Sequence, residues 1–84
     1  MTYSLSILRR AQKELAQLPT AAYQRVRDAI RELSDQPRPP GCRKLTGREG
    51  WRIRVGDYRV IYEIDDSQRQ VTVVAIGNRR DVYR

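Results

Sequence analysis

The chain has 84 residues, which is enough for one domain (1–84) with a small hydrophobic core. Its 17 basic and 10 acidic side chains give a formal net charge of +7, and all but two of the basic residues are arginines. An arginine-rich surface favours a polyanionic partner such as nucleic acid, because the planar guanidinium matches phosphate and stacks on bases. The alternative is a solvated basic surface without a ligand.

Two kinds of site are excluded by composition. The chain has no histidine and one cysteine, Cys42, so we expect no zinc site and no internal disulfide. Asp65 and Asp66 have turn composition without a cluster of metal ligands around them, so we expect neither a metal nor a cofactor. The first residues contain no long apolar run, which predicts a cytoplasmic protein without a membrane partner.

The first half of the chain predicts one strand and two helices. Residues 3–7 alternate, which is typical of a strand. Helical spacing begins at Leu8 and a second apolar stripe follows Pro19, which predicts a helical hairpin. The first stripe consists of Leu8, Ala11, Leu15 and Leu18, and the second of Ala22, Val26, Ala29, Ile30 and Leu33.

The second half predicts β structure. Residues 37–41 contain three prolines and Gly41, so they form a stiff linker, and residues 42–50 are predicted to form a loop. Strands are predicted at 51–55, 58–64 and 71–76, with a tight turn at Gly56 and Asp57 and a strand end at Gly77. The order β-α-α-β-β-β predicts an α+β fold: a small, mainly antiparallel sheet with a helical hairpin packed on one face.

The strand at 51–55 contains the candidate binding residues. Its apolar residues alternate with Arg52 and Arg54, which therefore point together to the face away from the core. The two arginines are separated by two strand rises, about 6.5–7 Å, similar to the spacing of successive phosphates in an extended strand. Arg59 of the next strand is predicted to join them. Clustered like charges repel, and an anionic ligand would remove that cost.

Two other features bear on this cluster. The arginines are alternatively ordinary surface residues paired with Glu49, Asp57 or Glu63. The tail contains Arg79, Arg80 and Tyr83, and an aromatic ring beside arginines suits a splayed single-stranded base. The alternative for the tail is a frayed C-terminus.

Three segments resemble the RelE toxin family of the RelE/ParE superfamily of toxin–antitoxin systems. They are 44–47 (KLTG), 51–62 (WRIRVGDYRVIY) and 73–83 (VVAIGNRRDVY). The resemblance covers the whole chain and implies a sheet flanked by helices. It also implies a toxin that cleaves mRNA in the ribosomal A site, and a co-expressed antitoxin, RelB-like or other.

The family's functional positions match residues of this chain. The resemblance implies that the catalytic and RNA-binding residues are Arg52, Arg54, Arg59, Arg79 and Tyr83, and Arg80 is added as an RNA-binding residue. Studied RelE members have lysines where this chain has Arg52 and Arg54, and relatives often have histidine at the position of Asn78.

These departures leave the general base unassigned. RNA cleavage needs a base for the 2′-hydroxyl, charge stabilisation at phosphorus and an acid for the leaving oxygen. Arginine is a poor base, whereas Tyr83 can donate or accept a proton where neighbouring cations favour its phenolate. Such a site would be slow alone and would depend on positioning by a larger machine.

Two alternatives remain open from the sequence. One is a ParE-like gyrase poison on the same fold, and the other is a noncatalytic RNA-binding module whose arginines only hold phosphate. Retention of Arg59, Arg79 and Tyr83 favours the ribonuclease over the gyrase poison. A basic toxin also predicts an acidic or amphipathic antitoxin segment that lays a helix in an apolar groove or adds a strand to the sheet edge, and so covers or displaces the arginine face.

Overall fold

The structure, a computed structural model, describes residues 2–78 and consists of two helices and a five-stranded mixed sheet. The elements in chain order are β1 (Ser4–Ile7), α1 (Arg9–Ala16), α2 (Thr20–Leu33), β2 (Arg43–Lys44), β3 (Trp51–Val55), β4 (Tyr58–Asp65) and β5 (Gln70–Asn78). The sheet order is β1-β5-β4-β3-β2, and β1 is parallel to β5 whereas the other pairs are antiparallel. The predicted α+β class is confirmed. Within residues 2–78, no helix is long and apolar enough to cross a membrane.

The helices cover one face of the sheet and form the main core with it. Side chains with less than 2% exposure come from both layers, including Val26 and Leu33 of α2 and Val60 and Tyr62 of β4. Burial of apolar side chains of this size contributes about 1.5–3 kcal/mol each. The core-facing stripe of α2 and the alternation in β3 and β4 are therefore placed as the sequence predicts.

The prediction that residues 42–50 form only a loop is wrong. Arg43 and Lys44 form the short edge strand β2, opposite Arg52 and Trp51 of β3. The Leu45 amide donates a hydrogen bond to the Gly50 carbonyl (3.0 Å), which closes the connection between the two strands. A strand of two residues has no periodicity that a sequence pattern can detect.

Leu8 was predicted to belong to the first helical stripe, and this is wrong. It precedes α1 in extended conformation, and its amide donates to the Val73 carbonyl (2.9 Å), which prolongs the contact of β1 with β5. Because Ile7 packs on the helix side, the strand alternation turns Leu8 outward, where it is 46% exposed.

A β-bulge explains the nearly continuous apolar run in β5. Ile61 is opposite Ala75 whereas Tyr62 is opposite Val73, so Val74 is an extra residue in β5. The bulge shifts the alternation, and Val73 and Ile76 therefore both face the helix-side core. Ala75 packs instead with Ile61 on the other face of the sheet. The predicted end of this strand at Gly77 is also wrong, because β5 continues to Asn78.

A helix side chain accepts a hydrogen bond from the part of β5 that extends past the end of β1. β1 ends with Ile7 opposite Val73, so the strand neighbour is lost before Ile76. Glu14 of α1 accepts a hydrogen bond from the Ile76 amide at 2.8 Å. This contact joins α1 to β5 and blocks an edge that could otherwise pair with another strand.

Candidate nucleic-acid interface

The face of the sheet away from the helices, here called the open face, displays the three predicted strand arginines. Arg52 and Arg54 alternate with residues of β3 that pack against the helix-side core. Arg59 of β4 is directly opposite Arg54 in the β3–β4 register. Side chains at such positions have Cβ atoms about 4.5–5.5 Å apart. The tertiary structure therefore brings these three residues together on one surface.

β2 adds basic residues that the sequence pattern does not place on the open face. Arg43 is directly opposite Arg52, so the open face contains a second pair of facing arginines, besides Arg54 and Arg59. Lys44 and Arg48 lie in the same β2–β3 segment. Their basic charge is visible in the sequence. The loop predicted for residues 42–50 gives no indication that this segment lies beside β3.

A groove of about 610 Å³ runs across this basic surface, and we call it the first groove. Its lining residues are Arg43, Lys44, Leu45, Thr46, Arg48, Arg52 and Arg59. Five of these side chains are cationic and none is acidic. The groove is within the size range of ligand sites, and its charge suits a phosphate-bearing ligand.

Acidic residues of the described range do not neutralise Arg43, Arg48, Arg52 or Arg54. Among residues 2–78, ion pairs join Arg10 to Glu14, Arg27 to Asp28 and Arg38 to Asp66. Within that range no ion pair involves Arg43, Arg48, Arg52 or Arg54. The interpretation of Arg52 and Arg54 as surface residues paired with Glu49, Asp57 or Glu63 is therefore not supported.

Trp51 has a cation near its ring from each of two neighbouring segments, the linker and β2. The Arg38 Cζ atom is 5.1 Å and the Lys44 Nζ atom 5.4 Å from the ring centroid. Both distances are within the range of cation–π attraction. Trp51 thus holds the Lys44 ammonium group close to β3, where the two residues are directly opposite in the β2–β3 register.

Arg38 is held by Asp66, which lies in the turn between β4 and β5. Its guanidinium donates two hydrogen bonds to the Asp66 carboxylate, at 2.8 and 3.3 Å, and the Tyr3 hydroxyl donates a third at 2.6 Å. These hydrogen bonds, first that from Arg38 and then that from Tyr3, lower the pKa of Asp66. These contacts connect the proline-rich linker to the β4–β5 turn and to Tyr3, which precedes β1.

A buried hydrogen bond fixes the same linker beside β3. The Tyr62 hydroxyl donates to the Pro37 carbonyl at 2.7 Å, and burial raises the pKa of Tyr62 so that the phenol stays neutral. The Cys42 amide donates to the Pro39 carbonyl at 3.0 Å and closes the linker into a turn. Cys42 is half-buried against the helix-side core, consistent with a structural role.

Gly50 is required where the β2–β3 connection returns to the sheet. Its φ is +122°, and a Cβ atom there would lie 3.1 Å from a Leu45 side-chain carbon and 3.3 Å from the Tyr62 carbonyl oxygen. Leu45 packs against Ile61 and Ala75 on the open face. The tight packing at Gly50 therefore sets the position of Leu45 in the first groove.

The residues of the described surface are suited to stabilise negative charge. Arginines bind phosphate and stabilise a phosphorane, but they do not act as bases at ordinary pH. Within the described part of the chain, no cluster of His, Cys, Asp and Glu is suited to hold a metal ion. The predicted residues Arg79, Arg80 and Tyr83 lie outside the described residues. β5 ends at Asn78, opposite Tyr58 and next to the Arg59–Gly77 pair.

Comparison with known proteins gives the class of protein to which this fold and basic face belong. The family model described as "ParE toxin of type II toxin-antitoxin system, parDE" matches residues 5–83. The chain therefore belongs to the RelE/ParE family of type II toxin–antitoxin toxins.

Relatives agree in sequence and fold. Toxin RelG of Mycobacterium tuberculosis is 32% identical over 88 positions, covering 100% of this chain and 99% of RelG. The RelE–RelB complex of Pyrococcus horikoshii is similar with a TM-score of 0.84 at 31% identity, covering 98% of this chain and 100% of the matched chain. The Escherichia coli RelBE complex is similar with a TM-score of 0.79 at 26% identity, covering 90% of this chain and 95% of the matched chain.

Proposed function

We propose that this toxin is a ribosome-dependent endoribonuclease that cleaves mRNA in the A site and so inhibits translation. The observation that carries the proposal is the first groove, in which Arg52 and Arg59 lie with three further cations and no acidic side chain. A groove of this charge attracts an RNA backbone and stabilises additional negative charge at phosphorus. RelE-type names among the relatives support the ribonuclease over the gyrase poison.

The proposed reaction is attack of the 2′-oxygen on the adjacent phosphorus, with departure of the 5′-oxygen of the next nucleotide. Arg52, Arg59 and Arg79 stabilise the charge that develops on the phosphate oxygens, and Arg54 binds the RNA backbone beside them. The 2′-hydroxyl loses a proton and the departing 5′-oxygen gains one; Tyr83 carries one of these two protons, and water or a ribosomal group carries the other. Arg80 contributes to RNA binding. The ribosome supplies the orientation that this set of side chains does not supply alone, which accounts for a site without histidine.

We also propose a cytoplasmic protein held inactive by a cognate antitoxin. The solved relatives from P. horikoshii and E. coli are complexes with RelB antitoxins, which supports a RelB-like partner. The cations of the first groove have no acidic neighbours among the described lining residues. This groove would therefore attract an acidic antitoxin segment. The prediction is copurification with the product of the adjacent gene. Recovery of the toxin alone from co-expressed cells would count against it.

Cell-free translation tests the ribonuclease directly. Purified protein is added to the reaction, and mRNA ends are mapped by primer extension. We expect cuts within the A-site codon that are lost in Arg52→Ala, Arg79→Ala and Tyr83→Phe. Arg31→Ala is the matched control, since Arg31 is exposed on α2 in the helix layer and the change removes the same charge.

The alternatives have distinct outcomes in the same experiment. Intact mRNA with inhibited DNA supercoiling would replace the ribonuclease with a gyrase poison. Binding of RNA without any cut would leave a noncatalytic RNA-binding module. Cuts by free protein without ribosomes would remove the ribosome from the proposal.

A further inference from the structure

The arginines predicted to form one cluster line two grooves. Arg54 and Arg59 are directly opposite in the β3–β4 register, yet Arg59 lines the first groove and Arg54 does not. Arg54 lines a second groove of about 410 Å³, together with Pro40, Gly41, Arg43, Arg52 and Ile53. Arg43 and Arg52 line both grooves. This facing pair is therefore a ridge between the two.

The second groove exists because β2 is short. β2 begins at Arg43, so β3 has a strand neighbour on that side only at Trp51 and Arg52. Just before β2 the chain turns at Gly41, whose φ is +91°. The gap beside Arg54 is kept open by the linker, which is fixed through the Tyr62 hydrogen bond to Pro37. The second groove is thus built into the fold.

We propose that the second groove is a separate subsite for the phosphate adjacent to the one held in the first groove. The identification of the polyanion as single-stranded RNA rests on the proposed function. Arg52 and Arg54 are separated by two strand rises, about 6.5–7 Å, which suits successive phosphates of an extended strand. The RNA backbone crosses the Arg43–Arg52 ridge, and the ridge interacts with both phosphates.

The two subsites have different charge. Among residues 2–78, five cationic residues line the first groove and three line the second, namely Arg43, Arg52 and Arg54. A ligand with one phosphate therefore occupies the first groove, and only a ligand with two phosphates uses the second. Arg48 belongs to the first groove alone and Arg54 to the second alone, which provides a matched pair of variants.

The test compares two short RNA ligands with 2′-O-methyl groups, which prevent cleavage. One is a dinucleotide with a single phosphate, and the other is a trinucleotide with two. Affinities are measured at low salt by ¹⁵N chemical-shift titration. For the unaltered protein we expect the trinucleotide to bind about fivefold more tightly, the upper range for an exposed charge pair.

The variants separate the two grooves. Arg54→Ala should reduce the affinity ratio of the two ligands to about one, while leaving dinucleotide affinity nearly unchanged. Arg48→Ala should weaken both ligands and preserve the ratio. Arg31→Ala should change neither. Circular dichroism confirms that each variant is folded before its affinities are compared.

Two results would overturn the subsite: equal affinities of the two ligands for the unaltered protein, or an affinity ratio that is unchanged in Arg54→Ala, including one that follows an equal loss for both ligands. The outcome is independent of catalysis. If mRNA stays intact on the ribosome but the ratio depends on Arg54, the subsite stands and the ribonuclease proposal fails. If mRNA is cut and the affinity ratio of the two ligands is unchanged in Arg54→Ala, only the subsite proposal fails.

Discussion

Replacing Tyr62 with phenylalanine tests how the linker is held beside the two grooves. The Tyr62 side chain is fully buried in β4, and its hydroxyl donates to the Pro37 carbonyl at 2.7 Å. Tyr62→Phe removes one oxygen atom and leaves the ring, so it creates almost no cavity. A hydrogen bond of this kind contributes about 0.5–1.5 kcal/mol net, and the Pro37 carbonyl loses its protein partner.

We expect Tyr62→Phe to lower the free energy of unfolding by about 1–1.5 kcal/mol. For a domain of this size the corresponding decrease in Tm is about 4–12 °C. The assay is thermal and urea unfolding followed by circular dichroism, with both midpoints compared with those of the unaltered protein. Because the linker borders the second groove, the amide signal of Gly41 should also shift.

Tyr23→Phe is the matched control. Tyr23 lies on α2 with the Arg27 Cζ atom 5.7 Å from its ring centroid, and its hydroxyl makes no hydrogen bond to any other residue in the range 2–78. Its removal should change stability by less than about 0.5 kcal/mol. If Tyr62→Phe is as mild as Tyr23→Phe, the hydrogen bond to Pro37 does not stabilise the linker and the reasoning is refuted.

Three further predictions concern the surroundings of the grooves. Gly50→Ala should cost about 1–3 kcal/mol in urea unfolding, because its positive φ and close neighbours both oppose a Cβ atom. Asp66→Asn should destabilise the protein at neutral pH. Since the pKa of Asp66 is lowered in the folded state, its contribution is present above the ordinary carboxyl pKa and disappears as the pH falls through the lowered value. RNA binding should change the fluorescence of Trp51, the single tryptophan, by drawing Lys44 from its ring, and Lys44→Met should reduce that change.

Each of these has its own control. Gly47→Ala also replaces a glycine with positive φ, but a Cβ there would meet open space, so the loss should be smaller. Asp35→Asn removes an exposed carboxylate that makes no side-chain hydrogen bond within residues 2–78, and a pH profile equal to that of Asp66→Asn would contradict the assignment. For the fluorescence prediction, an undiminished response in Lys44→Met would show that the signal does not report the lysine.

The features that the sequence predicts depend on local repetition. The alternation in β3 places Arg52 and Arg54 on one face whatever the rest of the fold does, because successive side chains of a strand point to opposite sides. The helical stripes predict the burial of Val26 and Leu33 for the same kind of reason. These patterns are sufficient to predict the α+β class and the position of Arg52 and Arg54 on the same face of the sheet.

The features that the sequence did not predict depend on contacts between distant segments. The parallel pairing of β1 with β5 joins Ser4 to Gln70 and leaves no local signal. The bulge at Val74 changes which β5 residues face the helices, but the apolar run looks the same with or without it. β2 is defined by its partner β3, because two residues are too few for a periodic pattern.

The basic charge and the shared face of three arginines were therefore determined by the sequence alone. Only the tertiary structure decided that Arg43 joins them and that Arg54 and Arg59 line different grooves. The physical reason is that the alternation within a single strand determines which face of the sheet a side chain is on. The position of a groove depends instead on where the neighbouring strands end. Here the short β2 and the fixed linker divide one charged face into two grooves.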